Sequence, residues 1–377
     1  MTLIAHSTNF KVPFIVGDLL LSGEKKKTFV PPTINYDVST LLNEPGRRFF
    51  PVDMAQKIYF VTPHLLLAMS GLVSEMKALL KELRQRCTYY SDLRPEHIHQ
   101  FLQEYDLPKN FSESGFFMML ITPEENNKLQ VSQFNSGQWA GLNTPIFSNL
   151  TSMGSGSSSY NRWASEDITF NTTATSGAPD YALNSNVCQV ARALGIERAT
   201  LATIKEGFGA GYELAFYTGS MFNKLDEIVY LIFECSYDDQ GNMSNPILTK
   251  AMYYYYYPDI LRITSLDILG AIEKVAGTSL EIYGQKIEVS TFDIPSLDID
   301  ANQSSDNLPI DLSFFTKRIG AAVVVTKKES SVFVCSFFNE GEEGFAEFKS
   351  GEYFTVSLPA GIMDQVRAGA KNAYSKI

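Results

Sequence analysis

MTLIAHSTNFKVPFIVGD, residues 1–18, places a threonine one peptide bond from Met1 and a carboxylate, Asp18, at the close of a hydrophobic hairpin. Residues 2–6 and 11–17 are apolar and β-leaning, and Ser7-Thr8-Asn9 between them reads as the turn. Once Met1 is removed, Thr2 carries a hydroxyl nucleophile and an α-amine on one residue. Such an amine, with a pKa of roughly 7.7 to 8.0, is partly neutral near physiological pH and can take the hydroxyl proton without a histidine. A threonine behind an initiator methionine can equally be the plain start of a strand, and these residues alone leave both readings open.

Working outward, 377 residues with 45% hydrophobic content suffice for two domains of ~100 to 200 residues each. The net charge of -11 argues against a nucleic-acid or anionic-membrane surface, which needs clustered Lys and Arg. Lys25-Lys26-Lys27 is the one short basic run and reads as a solvated loop. Cys87, Cys188, Cys235 and Cys335 lie far apart without a CxxC pair, so neither a zinc site nor a disulfide framework is expected. A reduced cytoplasmic protein without cofactor or metal is the expectation. Pro13 and Asp18 interrupt the apolar run from Val12 to Leu21, which therefore does not read as a signal peptide. Nothing approaches the ~18 apolar residues of a membrane span. The sequons at Asn149, Asn171 and Asn302 have no secretory context.

Further along, residues 23–53 are rich in proline punctuation and read as an extended loop. Residues 57–61 and 64–69 predict a strand pair. Leu72, Val73, Met76, Leu79, Leu80, Leu83 and Cys87 then fall at helical spacing. A second helix starts after Asp92 with Pro95 in its first turn; His97 and His99 on it point in different directions, which favours capping or exposure over a metal site. Strands are predicted at 115–121, 128–134, near 146–150, at 211–218 and at 227–236, with helices at 181–194 and 197–205. Alternation of strand pairs and helix pairs implies helical layers against antiparallel sheets, an α/β (α+β) sandwich over residues 1–240. Beyond it, AMYYYYYPDI (251–260) reads as a strand, 264–276 as a helix, 279–292 as β and 293–309 as an acidic linker. Strand-like runs at 319–326, 331–338 and 345–357 precede a helix at about 360–375.

Two glycine clusters invite a phosphate-loop reading. Residues 205–211, KEGFGAG, follow a helix and enter a strand, the reverse of a dinucleotide fingerprint. Gly154-Ser155-Gly156-Ser157 precedes a helix and offers N–H groups and hydroxyls to an anion or a water, although a flexible loop would look the same. No GxSxG, HExxH or Walker sequence occurs.

The run Gln56-Lys57-Ile58-Tyr59-Phe60-Val61, then His64 to Ser70 and Gly71-Leu72-Val73 opening a long helix, resembles proteasome β-subunits and their bacterial relatives, which are N-terminal-nucleophile (Ntn) hydrolases. The resemblance implies a four-layer αββα sandwich over 1–240 and leaves 241–377 as a mixed α/β, β-rich extension that would cap the site, build an oligomer contact or bind a partner. Counted from Thr2 as first residue, Asp18 falls at the family's acidic position, Lys57 at its lysine and Gly71 at the glycine whose N–H forms the oxyanion hole. Ser155 matches the serine of its Gly-Ser-Gly loop. The segment between Asp18 and Lys57 is longer than in the family, so the lysine match rests on local sequence.

The chemistry of that set is coherent. Thr2 would attack a carbonyl while its own amine takes the proton, and Lys57, kept cationic by Asp18, would ease formation of the alkoxide. The Gly71 N–H would hold the oxyanion, and Ser155 the amine or a water. The chain departs from the family where an Asp and a Ser precede a late strand, with Lys205 and Phe208 at the nearest positions, Glu206 between them, and a polar insertion near 165–180. The resemblance implies a cytoplasmic threonine hydrolase of peptide or small amide bonds, working as a homo-oligomer, with a possible ATPase partner and no nucleic acid or membrane partner. The alternative is a catalytically inactive assembly or binding protein that retains Met1.

Overall fold

In a computed structural model of the chain, the residues described are 2–9, 12–39, 42–43, 45–123, 128–144, 147, 149–165, 171–172, 179–226, 228–236, 238, 240, 242, 244–257, 260–270, 272–276, 279–283, 286–297, 319–326, 332–338, 346–349, 353–357 and 362–375. Strands β1 (Ile4–Asn9) and β2 (Val12–Asp18) pair antiparallel from Ile4 opposite Gly17 to Asn9 opposite Val12. The strand therefore runs through Ser7, Thr8 and Asn9, where a turn was expected, and residues 10 and 11 lie outside the described residues. Ser7 is buried, and its hydroxyl donates to Asn186 Oδ1 at 3.3 Å. A polar residue satisfied inside a sheet carries no turn signal of its own.

After β2, β3 (Leu20–Gly23) pairs with β4 (Phe50–Met54), so both ends of the loop expected over 23–53 are strand, and the described residues between them, 24–39, 42–43 and 45–49, carry no helix or strand. Next come β5 (Ile58–Thr62), β6 (Leu65–Ser70), α1 (Val73–Cys87), α2 (Pro95–Glu104), α3 (Leu107–Asn110), β7 (Gly115–Pro123) and β8 (Leu129–Ser136). His97 caps α2: its Nδ1 accepts the Arg94 N–H at 3.1 Å. The chain continues with β9 (Ala140–Leu142), β10 (Leu150–Met153), α4 (Ser157–Ser165), β11 (Asn171–Thr172), α5 (Pro179–Thr200), α6 (Ala202–Glu206), β12 (Tyr212–Tyr217), β13 (Phe222–Lys224) and β14 (Ile228–Cys235). A helix break was expected between 194 and 197, but α5 is continuous to Thr200. The chain breaks instead at Leu201, whose backbone is left-handed (φ 57°).

The protein is mixed α/β with mostly antiparallel sheets. One sheet runs β13-β12-β2-β1-β10-β9 and a second β5-β6-β7-β8. Strand alternation sorts their side chains. Ile4, Ile15 and Ala215 of the first sheet share an apolar cluster with Ile58, Leu66, Ala68 and Phe117 of the second. On the opposite face of the second sheet, Leu67, Met69, Phe116 and Met118 meet Leu79, Leu80 and Leu83 of α1 and Ile98 and Phe101 of α2. Because β6 is buried on both faces, it reads as the continuous run LLLAM. Leu3, Ala5, Phe14 and Val16 face away from the second sheet into a cluster with Tyr160 of α4 and Val187, Val190 and Leu194 of α5.

The C-terminal part adds β15 (Ile247–Tyr256), β16 (Ile260–Leu269), β17 (Ile272–Ala276), β18 (Ser279–Tyr283), β19 (Lys286–Pro295), β20 (Ile319–Thr326), β21 (Val332–Phe338), β22 (Ala346–Lys349), β23 (Tyr353–Ser357) and α7 (Ile362–Ser375). A seven-stranded sheet, β11-β21-β20-β14-β15-β16-β19, takes in β14, so it is continuous across residue 240. Tyr253 to Tyr256 of the tyrosine run lie in β15, which begins earlier than the strand expected over 251–260 and ends before Tyr257. Residues 264–276, expected as a helix, are strand instead: β16 pairs along its length with β15 and β19, and β17 follows. Both faces of β16 are buried, which removes the alternation that marks a half-exposed strand. Of the expected linker at 293–309, the first residues finish β19, and residues 298–309 lie outside the described residues. Strands β17-β18-β23-β22 form a further sheet. Among the described residues, no helix is long and apolar enough to cross a membrane.

Candidate active site

Asp18 ends β2, where the strand leaves the sheet, and it is fully buried. Its Oδ1 accepts from Thr2 Oγ1 (2.6 Å), the Leu3 N–H (2.7 Å) and Lys57 Nζ (2.6 Å). Its Oδ2 accepts from the N–H groups of Leu20 (3.2 Å) and Gly209 (3.0 Å). Five donors converge on one carboxylate, the arrangement that makes a charged group tolerable in a dry interior.

Lys57 lies immediately before β5 and is 1% exposed. Its Nζ donates to Asp18 Oδ1, to Leu20 O at 2.8 Å and to Thr2 Oγ1. Burial pulls the lysine below its ordinary pKa, and the Asp18 charge and hydrogen bond, with the charge of Glu213, pull it back. Thr2 Oγ1 thus donates its proton toward the Asp18 carboxylate and accepts from Lys57 Nζ.

The Gly154-Ser155-Gly156 loop clasps the backbone of Thr2. The Thr2 N–H, an amide in the intact chain, donates to Ser155 Oγ at 3.2 Å. Thr2 O accepts from Ser155 Oγ at 3.4 Å and from the Gly156 N–H at 3.3 Å. Gly154 has φ +101°, and a Cβ there would lie 2.1 Å from Thr2 O. Thr2, Asp18, Lys57 and Ser155 are thus brought together.

Gly71 makes no hydrogen bond to those four. It follows Ser70, the last residue of β6, and it is Ser70, not Gly71, that lines a cleft of about 590 Å³ together with Gly154. With φ +127° and a would-be Cβ 2.4 Å from Ser114 Cα, only glycine fits at position 71.

The positions that depart from the family pattern do not reach Thr2. Lys205 is exposed, and its carbonyl accepts from Arg47 at 3.0 Å. Glu206 accepts from Ser159 at 2.6 Å. Phe208 is buried against Trp163 (centroids 6.0 Å apart) and backs the loop, since a Cβ on Gly156 would lie 2.6 Å from its ring. The glycine-rich segment around Phe208 serves Asp18 instead, through the Gly209 N–H.

Three charged groups, two buried and one (Lys224) partly buried, escaped the sequence reading. Glu213 of β12 accepts the N–H groups of Lys57 and Ile58 (2.8 Å for the latter) on Oε1, and Lys224 Nζ at 2.6 Å on Oε2. Lys224 also donates to Gln56 Oε1 at 2.6 Å, and burial, opposed by Glu213, pulls its pKa down. Glu197 of α5 accepts from Thr33 Oγ1 on one oxygen, and from Thr203 Oγ1 (2.6 Å) and the Ala210 N–H (3.0 Å) on the other. Burial pushes the Glu197 carboxyl up to about 7 against these hydrogen bonds. A lone charge inside an apolar strand, as in YELAFY, was the available signal for Glu213. The C-terminal sheet reaches this network too: Pro295 O accepts the Gln56 N–H at 3.1 Å, and Ile294 O accepts Gln56 Nε2 at 2.9 Å.

No protein-family model matches this chain, and no curated protein matches it.

Proposed function

We propose that the chain is an N-terminal threonine hydrolase of amide or peptide bonds, activated by loss of Met1. The observation that carries this reading is the position of Thr2 Oγ1 between Asp18 Oδ1 at 2.6 Å and Lys57 Nζ, with Thr2 N beside Ser155 Oγ at 3.2 Å. Removal of Met1 turns that nitrogen into an amine on the same residue as the nucleophile. Thr2 Oγ then bonds to the substrate carbonyl carbon, and its proton passes to the α-amine, directly or through a water held at Ser155. Lys57 stabilises the developing alkoxide. The tetrahedral intermediate collapses with cleavage of the C–N bond, the leaving amine takes the proton from the Thr2 ammonium, and an ester on Thr2 remains. Water adds to that ester, giving up its proton to the amine, and the acid leaves as Oγ is reprotonated. In this scheme the Gly71 N–H is the oxyanion donor, worth ~3 to 4 kcal/mol for one such donor.

The order of the apolar clusters supports the Ntn-type sandwich: α1 and α2, the second sheet, the first sheet, then α4 and α5. The resemblance to proteasome-like peptidases adds a homo-oligomeric chamber fed by an ATPase. Sedimentation with parallel peptide and small-amide assays separates this from a small-amide hydrolase, since a monomer cleaving only small amides removes the chamber. A second reading, an inactive protein that keeps Met1, is favoured by the burial of Thr2, 2% exposed in the intact chain. Intact mass decides between them: a retained Met1 leaves no threonine amine and sinks the mechanism.

A further inference from the structure

The cleft beside Gly154 has a composition of its own. Its floor is the thioether of Met153, which is kept in place by two glycines: a Cβ on Gly115 or Gly137 would lie 2.3 Å or 2.8 Å from Met153 Sδ. One wall is Trp139, half-buried, its indole N–H pinned to Ser136 O at 3.0 Å and its ring 5.7 Å from that of Phe117. Among the described residues of the lining, Glu113 is the one charged side chain, and it is exposed; the other polar side chains include serines and Gln138. Glu113's own N–H donates to Glu75 Oε2 at 3.3 Å, which places a second carboxylate beside the Glu113 backbone. Among the described residues, neither carboxylate is ion-paired.

A thioether floor and an indole wall suit an aliphatic stem, and a carboxylate at the mouth suits a cationic head. A guanidinium or ammonium can also lie against the indole face. The net charge of -11 favours the approach of a cation over an anion. We propose that this cleft selects a basic side chain, Arg or Lys, in the peptide presented to Thr2. The assignment rests on the threonine-hydrolase reading for its consequence, because Gly154 joins the cleft to Thr2, but the recognition itself needs no chemistry at Thr2.

The test is calorimetric titration of the full chain carrying Thr2→Ala with three blocked tripeptides, acetyl-Gly-Xaa-Gly-amide, where Xaa is Arg, Leu or Glu. The Arg peptide should bind roughly tenfold more tightly than the other two, the size of one charge-assisted contact. Added salt should shrink that margin, and Glu113→Gln, a change at an exposed position, should abolish it. Equal affinities, no saturable binding, or a margin that survives Glu113→Gln would each overturn the assignment. Electrophile labelling of Thr2 in the wild type is a separate result. Labelling without a basic preference removes the cleft assignment and leaves the hydrolase, whereas a basic preference without labelling leaves the cleft and removes the hydrolase.

Discussion

Lys57 Nζ meets three oxygens in a space closed to water, Asp18 Oδ1, Leu20 O and Thr2 Oγ1, and much of the site's energetics is contained in that contact. Because both charges of the pair are essentially unexposed, removing one strands the other. Lys57→Ala should therefore cost ~3 to 5 kcal/mol of stability as well as any activity, and urea unfolding would show it; a loss under about 1 kcal/mol, the scale of a surface pair, would contradict the burial. Gly71→Ala is a second residue-scale test. With φ +127° and Ser114 Cα 2.4 Å from the new methyl carbon, the backbone has to shift, and a cost of roughly 1 to 3 kcal/mol is expected. An unchanged unfolding midpoint would deny the crowding. Thr2 and Asp18 were legible from their places at the two ends of the hairpin, and Ser155 from its glycine turn, whereas Lys57 was singled out only by the resemblance to proteasome-like hydrolases. Glu213 was not legible, since its partner Lys57 lies 156 residues away and only the fold brings the two together.

Among the elements, α5 and the loop after α6 are tied by Glu197, which holds the Ala210 N–H while the neighbouring Gly209 N–H holds Asp18. The folded carboxyl titrates near 7 against an ordinary 4.5. Below pH 4.5 both folded and unfolded chains are protonated there and the group is neutral in its effect. As pH rises toward 7 the unfolded chain releases its proton first, so the folded state loses stability across that window, on the order of 3 kcal/mol in all. Glu197→Gln should flatten this slope, so that the variant gains on wild type between about pH 5 and about pH 8 in urea unfolding; parallel curves would show that Glu197 does not titrate there. The pairing of β1 with β2, though not the place of its turn, the α1 and α2 faces and strands β5 to β8, β12 and β14 were legible from residue pattern, whereas β3, β4, β9 and β13 were not. The helix expected over 264–276 failed because β16 is buried on both sides, and an apolar run without alternation does not distinguish strand from helix.

For the whole molecule, the seven-stranded sheet is built around β14, with β15 on one side and β20 on the other. The C-terminal part is thereby bound to the site: β19 fixes Gln56, Gln56 meets Lys224, Lys224 meets Glu213, and Glu213 holds the Lys57 backbone. None of this was legible beforehand, since the parallel pairing of β14 with β20 spans residues with no local signal of their partnership. A chain ending at residue 240 would strip Ile228, Tyr230 and Ile232, all buried, of their packing against Met252, Tyr254, Ile263 and Val323. It should lose cooperative thermal unfolding and its near-UV circular dichroism; retention of both would mean the first part folds alone. The central claim is read most directly from one intact-mass spectrum of the full chain after treatment with a threonine-directed electrophile. The account predicts a chain lacking Met1 that carries a single adduct, absent in Thr2→Ala. An unlabelled chain with Met1 in place, or equal labelling of wild type and Thr2→Ala, would contradict it.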